Sequence, residues 1–207
     1  AEKDSRVLVI HKNNGGLSDA RNAGLDICTG EYISFVDSDD YVAQEYIEDM
    51  YKCLIKNNAD LAICASVKVF EGDKTLPGRS GQPPCEVVFS PEEALEEMLY
   101  LKRFDNSAWA KLYRRELWRD ISFPKGMIYE DVAVAYRIFD LCERICFTEK
   151  IAYFYVQRPN SIINRPFKRN KMELIDICDD MLKFIENNYP QLKKAAICRL
   201  VTNIGVL

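Results

Sequence analysis

In Glu31-Tyr32-Ile33-Ser34-Phe35-Val36-Asp37-Ser38-Asp39-Asp40 a run of apolar and aromatic residues breaks off into three carboxylates within four positions. Tyr32 to Val36 has the composition of a buried strand. Like charges this close repel one another, and a hard divalent cation with oxygen ligands, Mg²⁺ or Mn²⁺, is the usual resolution. Open α/β sheets bind ligands outside the carboxyl ends of their strands, which is where this cluster falls. An Asp-rich turn capping the next helix is the plainer reading of the same residues.

Upstream, Val7-Leu8-Val9-Ile10 reads as a short buried strand. After Asn13-Asn14-Gly15-Gly16, a helix is expected with Leu17, Ala20, Ala23, Gly24 and Ile27 on its inward face. Downstream, a helix has Tyr46, Ile47, Met50 and Leu54 in register, and residues 61–70 form another strand. Strand, helix, strand, helix, strand at this spacing predicts right-handed crossovers and a mostly parallel sheet. Glycines and prolines at 71–84 mark a loop or hairpin excursion. Ser90-Pro91-Glu92-Glu93 has the cap, the proline and the glutamate of a helix start, with Ala94, Leu95, Met98 and Leu99 turned inward. A further helix from Asp131 buries Val132, Ala135, Tyr136 and Phe139; a strand spans 145–156, and two helices broken at Tyr189-Pro190 end the chain.

With 207 residues and 48% hydrophobic composition, the chain is long and apolar enough for one substantial core with an appendage. Its net charge of −4 argues against non-specific nucleic-acid binding over the whole surface. Eight cysteines without a CxxC pair, and a lone His11, give a structural zinc site nothing to build on. Buried free thiols in a reducing, cytoplasmic setting are the expectation. No apolar run approaches the ~18 residues of a membrane span, so work at a membrane would be peripheral, at the inner face, or would use an anchor outside this sequence.

The run Asn14-Gly15-Gly16-Leu17-Ser18-Asp19-Ala20-Arg21-Asn22-Ala23-Gly24 precedes the acidic turn by little more than one helix. Together the two resemble the core of family 2 glycosyltransferases with the GT-A fold, where an N-G-L-S-x-A-R-N-x-G stretch leads to a D-x-D motif. The resemblance implies an α/β nucleotide-diphospho-sugar transferase fold, a nucleotide-sugar donor, and Mn²⁺ or Mg²⁺ as cofactor. A glycine-rich turn before a helix lets backbone approach a diphosphate, and Arg21 suits the nucleotide, with Asn22 and Ser38 beside it. By the same resemblance Asp37 faces the ribose and Asp39 ligates a metal bridging the donor phosphates. Asp37 and Asp40 are further candidates for that metal, whose work is to stabilise the departing nucleoside diphosphate.

Tyr129-Glu130-Asp131 opens the next helix of interest. Family 2 enzymes place an E-D pair at such a start, one carboxylate being the general base that takes the acceptor hydroxyl's proton. Asp131 is the favoured base and Glu130 the alternative; acidic residues also suit a helix's first turn for its dipole alone. Ala108-Trp109-Ala110-Lys111-Leu112-Tyr113-Arg114-Arg115-Glu116-Leu117 resembles a stretch of bacterial capsule and lipopolysaccharide transferases. Trp109 is a candidate to stack on a sugar or to be core, and Lys111 to meet a phosphate or be solvated. Arg158-Pro159-Asn160-Ser161-Ile162 resembles the family's R-x-x-S-I element, and Arg158 to Lys171 holds five basic and no acidic residues. That patch suits a diphosphate, an anionic lipid-linked acceptor or a membrane surface.

Family 2 enzymes open with a hydrophobic strand and a second strand ending in an acidic nucleotide-binding pair, and neither motif is found here. The resemblance therefore implies an N-terminally truncated GT-A core at 1–157, with a basic loop and helical C-terminal extension at 158–207. The open sheet would be covered by a second copy, a rearranged segment or a further part of the protein. The implied activity is inverting transfer of a sugar to a hydroxyl of a saccharide or lipid-linked acceptor in cell-surface polysaccharide synthesis. Two alternatives stand beside it. A haloacid dehalogenase-type phosphatase also uses D-x-D, yet expects Thr or Val where Tyr41 stands. A saccharide-binding remnant needs no catalysis.

Overall fold

The computed structural model describes residues 4–70, 84–158 and 169–205. Among them six strands form one sheet: β1 (Tyr32–Ile33), β2 (Tyr41–Val42), β3 (Leu61–Phe70), β4 (Glu86–Phe89), β5 (Lys111–Arg114) and β6 (Ile145–Gln157). The α-helices are α1 (Gly16–Ile27), α2 (Tyr46–Asn57), α3 (Pro91–Leu99), α4 (Glu130–Asp140), α5 (Glu173–Asn188) and α6 (Lys193–Ile204). The strand order is β1-β5-β3-β6-β2, with β4 also paired to β6.

The centre of the sheet is dictated by side-chain alternation. Successive residues of a strand face opposite sides. Leu61 and Ile63 accordingly enter one core with Phe89, Leu95 and Phe139, from β4, α3 and α4. Ala62 and Cys64 enter the other, under Tyr46, Met50, Cys53 and Leu54 of α2. Both faces of this segment are covered, hence its unbroken apolar run. At α3 the expected cap is present: Ser90 Oγ accepts from the Glu93 N–H (3.3 Å), and Glu93 Oε2 accepts from the Ser90 N–H (2.8 Å).

The C-terminal helices share the main core, to which α5 contributes Met181 and Ile185 and α6 contributes Ala195 and Ala196. A smaller cluster sets Val132, at the start of α4, against Leu174, Ile177 and Cys178 of α5 and Leu200 of α6. Most of the cysteines are buried free thiols, with Cys85 and Cys198 exposed. No helix among the described residues is long and apolar enough to cross a membrane.

Three expectations are corrected. Val7 to Ile10 form no strand and lie at the surface, 42–73% exposed. A strand exists through its neighbour's hydrogen bonds, and no described segment pairs with this one. Helix α1 buries Ser18, Arg21 and Asn22, while Leu17 and Ile27 are exposed. Its apolar side instead lines a groove of about 470 Å³ along Ile33 to Ser38, beside β1. The sheet is mixed rather than mostly parallel: the long β3–β6 ladder is parallel, but β1–β5, β3–β5, β2–β6 and β4–β6 are antiparallel. Helical crossovers impose parallel pairing only where they join neighbours, and the short strands are placed by turns and loops instead.

Candidate active site

The chain leaves β1 through Phe35, bridged to Trp109, and turns at the acidic cluster, where the Asp40 N–H donates to the Asp37 carbonyl (3.1 Å). Asp40 is fastened to β6: Tyr153 Oη donates to its Oδ2 (2.6 Å) and the Val156 N–H to its Oδ1 (2.9 Å). Tyr153 Oη also accepts from the Asp37 N–H (3.2 Å). One buried phenol thus holds both ends of the turn. Burial, outweighing these hydrogen bonds, keeps the Asp40 carboxyl above the usual range. Ser38 and Asp39 are exposed at the tip.

Arg21 joins this turn to α4. Its Nη2 donates to Asp37 Oδ1 (2.8 Å), its Nη1 to Glu130 Oε1 (2.7 Å), and its guanidinium lies 5.2 Å from the centre of the Phe123 ring. Burial disfavours the Arg21 charge, but the attraction of Asp37, Glu130 and Asp131 prevails and raises its pKa. Glu130 is buried, which lifts its carboxyl despite the arginine. Asp131, half-buried beside it, accepts the Val132 N–H at 2.8 Å. Desolvation first, then the Glu130 charge, push the Asp131 carboxyl up to about 7. A carboxylate with a proton affinity near neutrality is suited to taking a proton from a hydroxyl. Glu130, tied to Arg21, is less free to do so.

Below them, Lys111 is buried at 1% exposure and its Nζ donates to the carbonyls of Asp105 (3.1 Å) and Ser107 (2.6 Å). It is a strut for the Asp105–Ser107 turn and has no surface on which to meet a phosphate. Trp109 is half-buried, stacked on Tyr153 at 4.6 Å and leaning on Tyr155 at 5.2 Å. Ala110, next to it, takes a left-handed backbone (φ 58°), a strain of about 1–2 kcal/mol held beside the site.

Other expected donor ligands have structural partners. Asn22 Nδ2 donates to the Phe123 carbonyl (2.8 Å) and its Oδ1 accepts the Phe123 N–H (2.9 Å), so its amide anchors the segment ahead of α4. The glycine turn before α1 accommodates a side chain of the helix itself. A Cβ on Gly15 would lie 2.1 Å from Asp19 Oδ2, and Asp19 is ion-paired with Lys12 and with Lys125 (2.9 Å for the latter). The approach expected of a diphosphate is thus occupied by a carboxylate. Arg158 lies exposed just past β6, and the remainder of the R-x-x-S-I element, 159–162, lies outside the described residues.

For a divalent cation, no group of three ligating side chains converges among the described residues. Asp37 faces Arg21 and Asp40 faces Tyr153, so a cage of all three carboxylates is not formed. Exposed Asp39 fits a Mg²⁺-like site of another kind, in which one or two carboxylates act together with substrate phosphates. Tyr153 and Asp105 escaped the sequence reading. A buried tyrosine needs a partner for its hydroxyl, which was the available clue.

The profile described as Glycosyl transferase family 2 matches residues 1–122, and the chain belongs to that family. It is similar to glycosyltransferase GlyA of Streptococcus pneumoniae, 31% identical over all of this chain and 30% of that protein. The uncharacterised glycosyltransferase EpsJ of Bacillus subtilis is 32% identical over 81% of this chain and 50% of its own length. Among solved structures, Staphylococcus aureus TarS residues 1–349 in complex with UDP-GlcNAc superposes with a TM-score of 0.67 at 21% identity, over 95% of this chain and 54% of that one. The fold is therefore GT-A-like, and the chain spans between about a third and a half of these relatives.

Proposed function

We propose that this chain carries the catalytic centre of an inverting glycosyltransferase that moves a sugar from a nucleotide-diphospho-sugar to a hydroxyl of a saccharide or lipid-linked acceptor, in cell-surface polysaccharide synthesis. The observation that carries this reading is Arg21, whose two ends bring the donor motif at Asp37 and the carboxylate pair at Glu130 into one cleft. The acceptor hydroxyl attacks the anomeric carbon as Asp131 takes its proton, and the bond from that carbon to the diphosphate oxygen breaks. Glu130 stays ion-paired with Arg21, and its negative charge raises the basicity of the neighbouring Asp131. Trp109 and Tyr155 offer aromatic area for the acceptor's apolar sugar face. Asp39 would hold Mn²⁺ or Mg²⁺, which would supply positive charge for the departing diphosphate. The TarS complex supports a UDP-linked donor. Family membership leaves the phosphatase reading without support.

Calorimetric titration of UDP into the full-length protein, with and without Mn²⁺, tests this. The expected result is Mn²⁺-enhanced binding that Asp39→Asn abolishes while circular dichroism and thermal unfolding stay unchanged. Equal affinity in the variant would remove Asp39 from the donor site.

A further inference from the structure

Helix α6 sets one buried charged side chain against the turn that holds Lys111. Arg199 is 8% exposed, and its Nη2 donates to Asn106 Oδ1. Asn106 sits in the middle of the Asp105–Ser107 turn, whose backbone carbonyls accept from Lys111 Nζ. The turn is gripped between a lysine of β5 and an arginine of α6. It leads directly into Trp109, which stacks on Tyr153, the residue that fastens Asp40. The base of α6 is itself fixed: Asn203 Nδ2 donates to Cys178 Sγ of α5 (3.2 Å), and Leu200 belongs to the cluster around Val132, next to Asp131. Buried arginines are rare and need compensation, so this one marks a constraint.

We propose that Arg199 is a positioning residue for sugar transfer: from α6 it fixes the Asp105–Trp109 segment and places positive charge behind Asp131, making the C-terminal helices a working part of the catalytic centre. This rests on Asp131 being the base. The groups that act electrostatically on Asp131 are Glu130 on its own helix, Arg21 on α1, Asp105 and Lys111 at the turn and β5, Tyr113 on β5, and Arg199 on α6. The cations Arg21, Lys111 and Arg199 oppose the carboxylates Asp105, Glu130 and Asp131. Without Arg199 the carboxylates are in excess, Asp131 holds its proton more tightly, and activity requires a higher pH. An arginine that served packing alone would alter thermal stability and leave that titration where it was.

The test combines two readouts on full-length Arg199→Met, Arg199→Lys and Asn106→Ala proteins. One is the carboxyl-carbon NMR titration of Asp131 without substrate; the other is kcat for UDP release from UDP-GlcNAc as a function of pH. In Arg199→Met the Asp131 midpoint should rise by about half a pH unit or more, and kcat should fall about 10-fold. Arg199→Lys should titrate like wild type, and Asn106→Ala should lose turnover without moving the midpoint. Arg199→Gln, neutral but polar, carries the same test if the methionine variant does not fold. An unmoved midpoint in the neutral variants overturns the inference. Absence of UDP release by the wild type counts instead against the donor reading, and the NMR titration still decides the role of Arg199.

Discussion

Tyr153 shows how much of the site depends on one hydroxyl. It is fully buried, its ring carries Trp109, and its oxygen ties Asp37 to Asp40 across the turn that exposes Asp39. Tyr153→Phe keeps the stack and deletes both bonds. Leaving Asp40 partly buried with one partner fewer should cost about 1–3 kcal/mol of stability in chemical denaturation. It should also weaken Mn²⁺-dependent UDP binding several-fold by calorimetry, because the tip is no longer held in one geometry. Unchanged UDP affinity would show that the turn is ordered by other means. In the sequence, the acidic cluster was legible because its composition is local, and the E-D pair only through the family resemblance, since alone it equally suits a helix's first turn. Tyr153 was not, since it lies in a 13-residue strand where a tyrosine is ordinary β-sheet composition. Lys111 misled for a related reason: a lysine in a motif suggests a ligand, and only the tertiary fold reveals the carbonyls around its ammonium.

Among elements, α1 and α4 meet through a single guanidinium. Arg21→Met would leave the Asp37 and Glu130 carboxylates enclosed without their cation, a loss of about 3 kcal/mol or more. The sign of its pH dependence follows from Glu130, whose folded-state pKa is already raised and would rise further. Such a group favours the fold when protonated and disfavours it as pH rises through the folded value. The deficit of the variant in chemical denaturation should therefore narrow as pH falls from neutrality. A constant deficit would mean that Arg21 acts by packing on Phe123 instead. Helix α3 with its cap signal was legible in the sequence, as was α2, whose Tyr46, Met50 and Leu54 are buried though Ile47 is exposed, and so were the strands β3 and β6, though not their pairing. The inward face of α1 was not, because the Arg21 ion pairs and the Asn22 amide seat it, and its apolar contact with the core comes from Leu25 instead of Leu17 or Ile27. Val7 to Ile10 had the composition of a strand, but composition cannot supply the neighbour that makes one.

For the molecule as a whole, the proposed function makes the acidic turn and α4 one centre for sugar transfer, with Asp131 as its base. Activity and stability then respond to pH in opposite directions. Asp131 has its folded-state pKa raised to about 7, above that of an unfolded aspartate. Its contribution to stability is therefore full at low pH and lost as pH rises through about 7, where the ionised form is what the chemistry needs. The direct measurement is Asp131→Asn in the full-length protein, assayed for turnover of a UDP-sugar across pH and for thermal unfolding near pH 8. The wild type should lose kcat below about pH 7 as the carboxylate takes up its proton. The variant should lose about 10²-fold or more in kcat with donor affinity nearly intact, and should melt no lower than wild type. A variant that turns over as fast as wild type, or a Glu130→Gln protein that shows this pattern in its place, would mean that Asp131 is not the base.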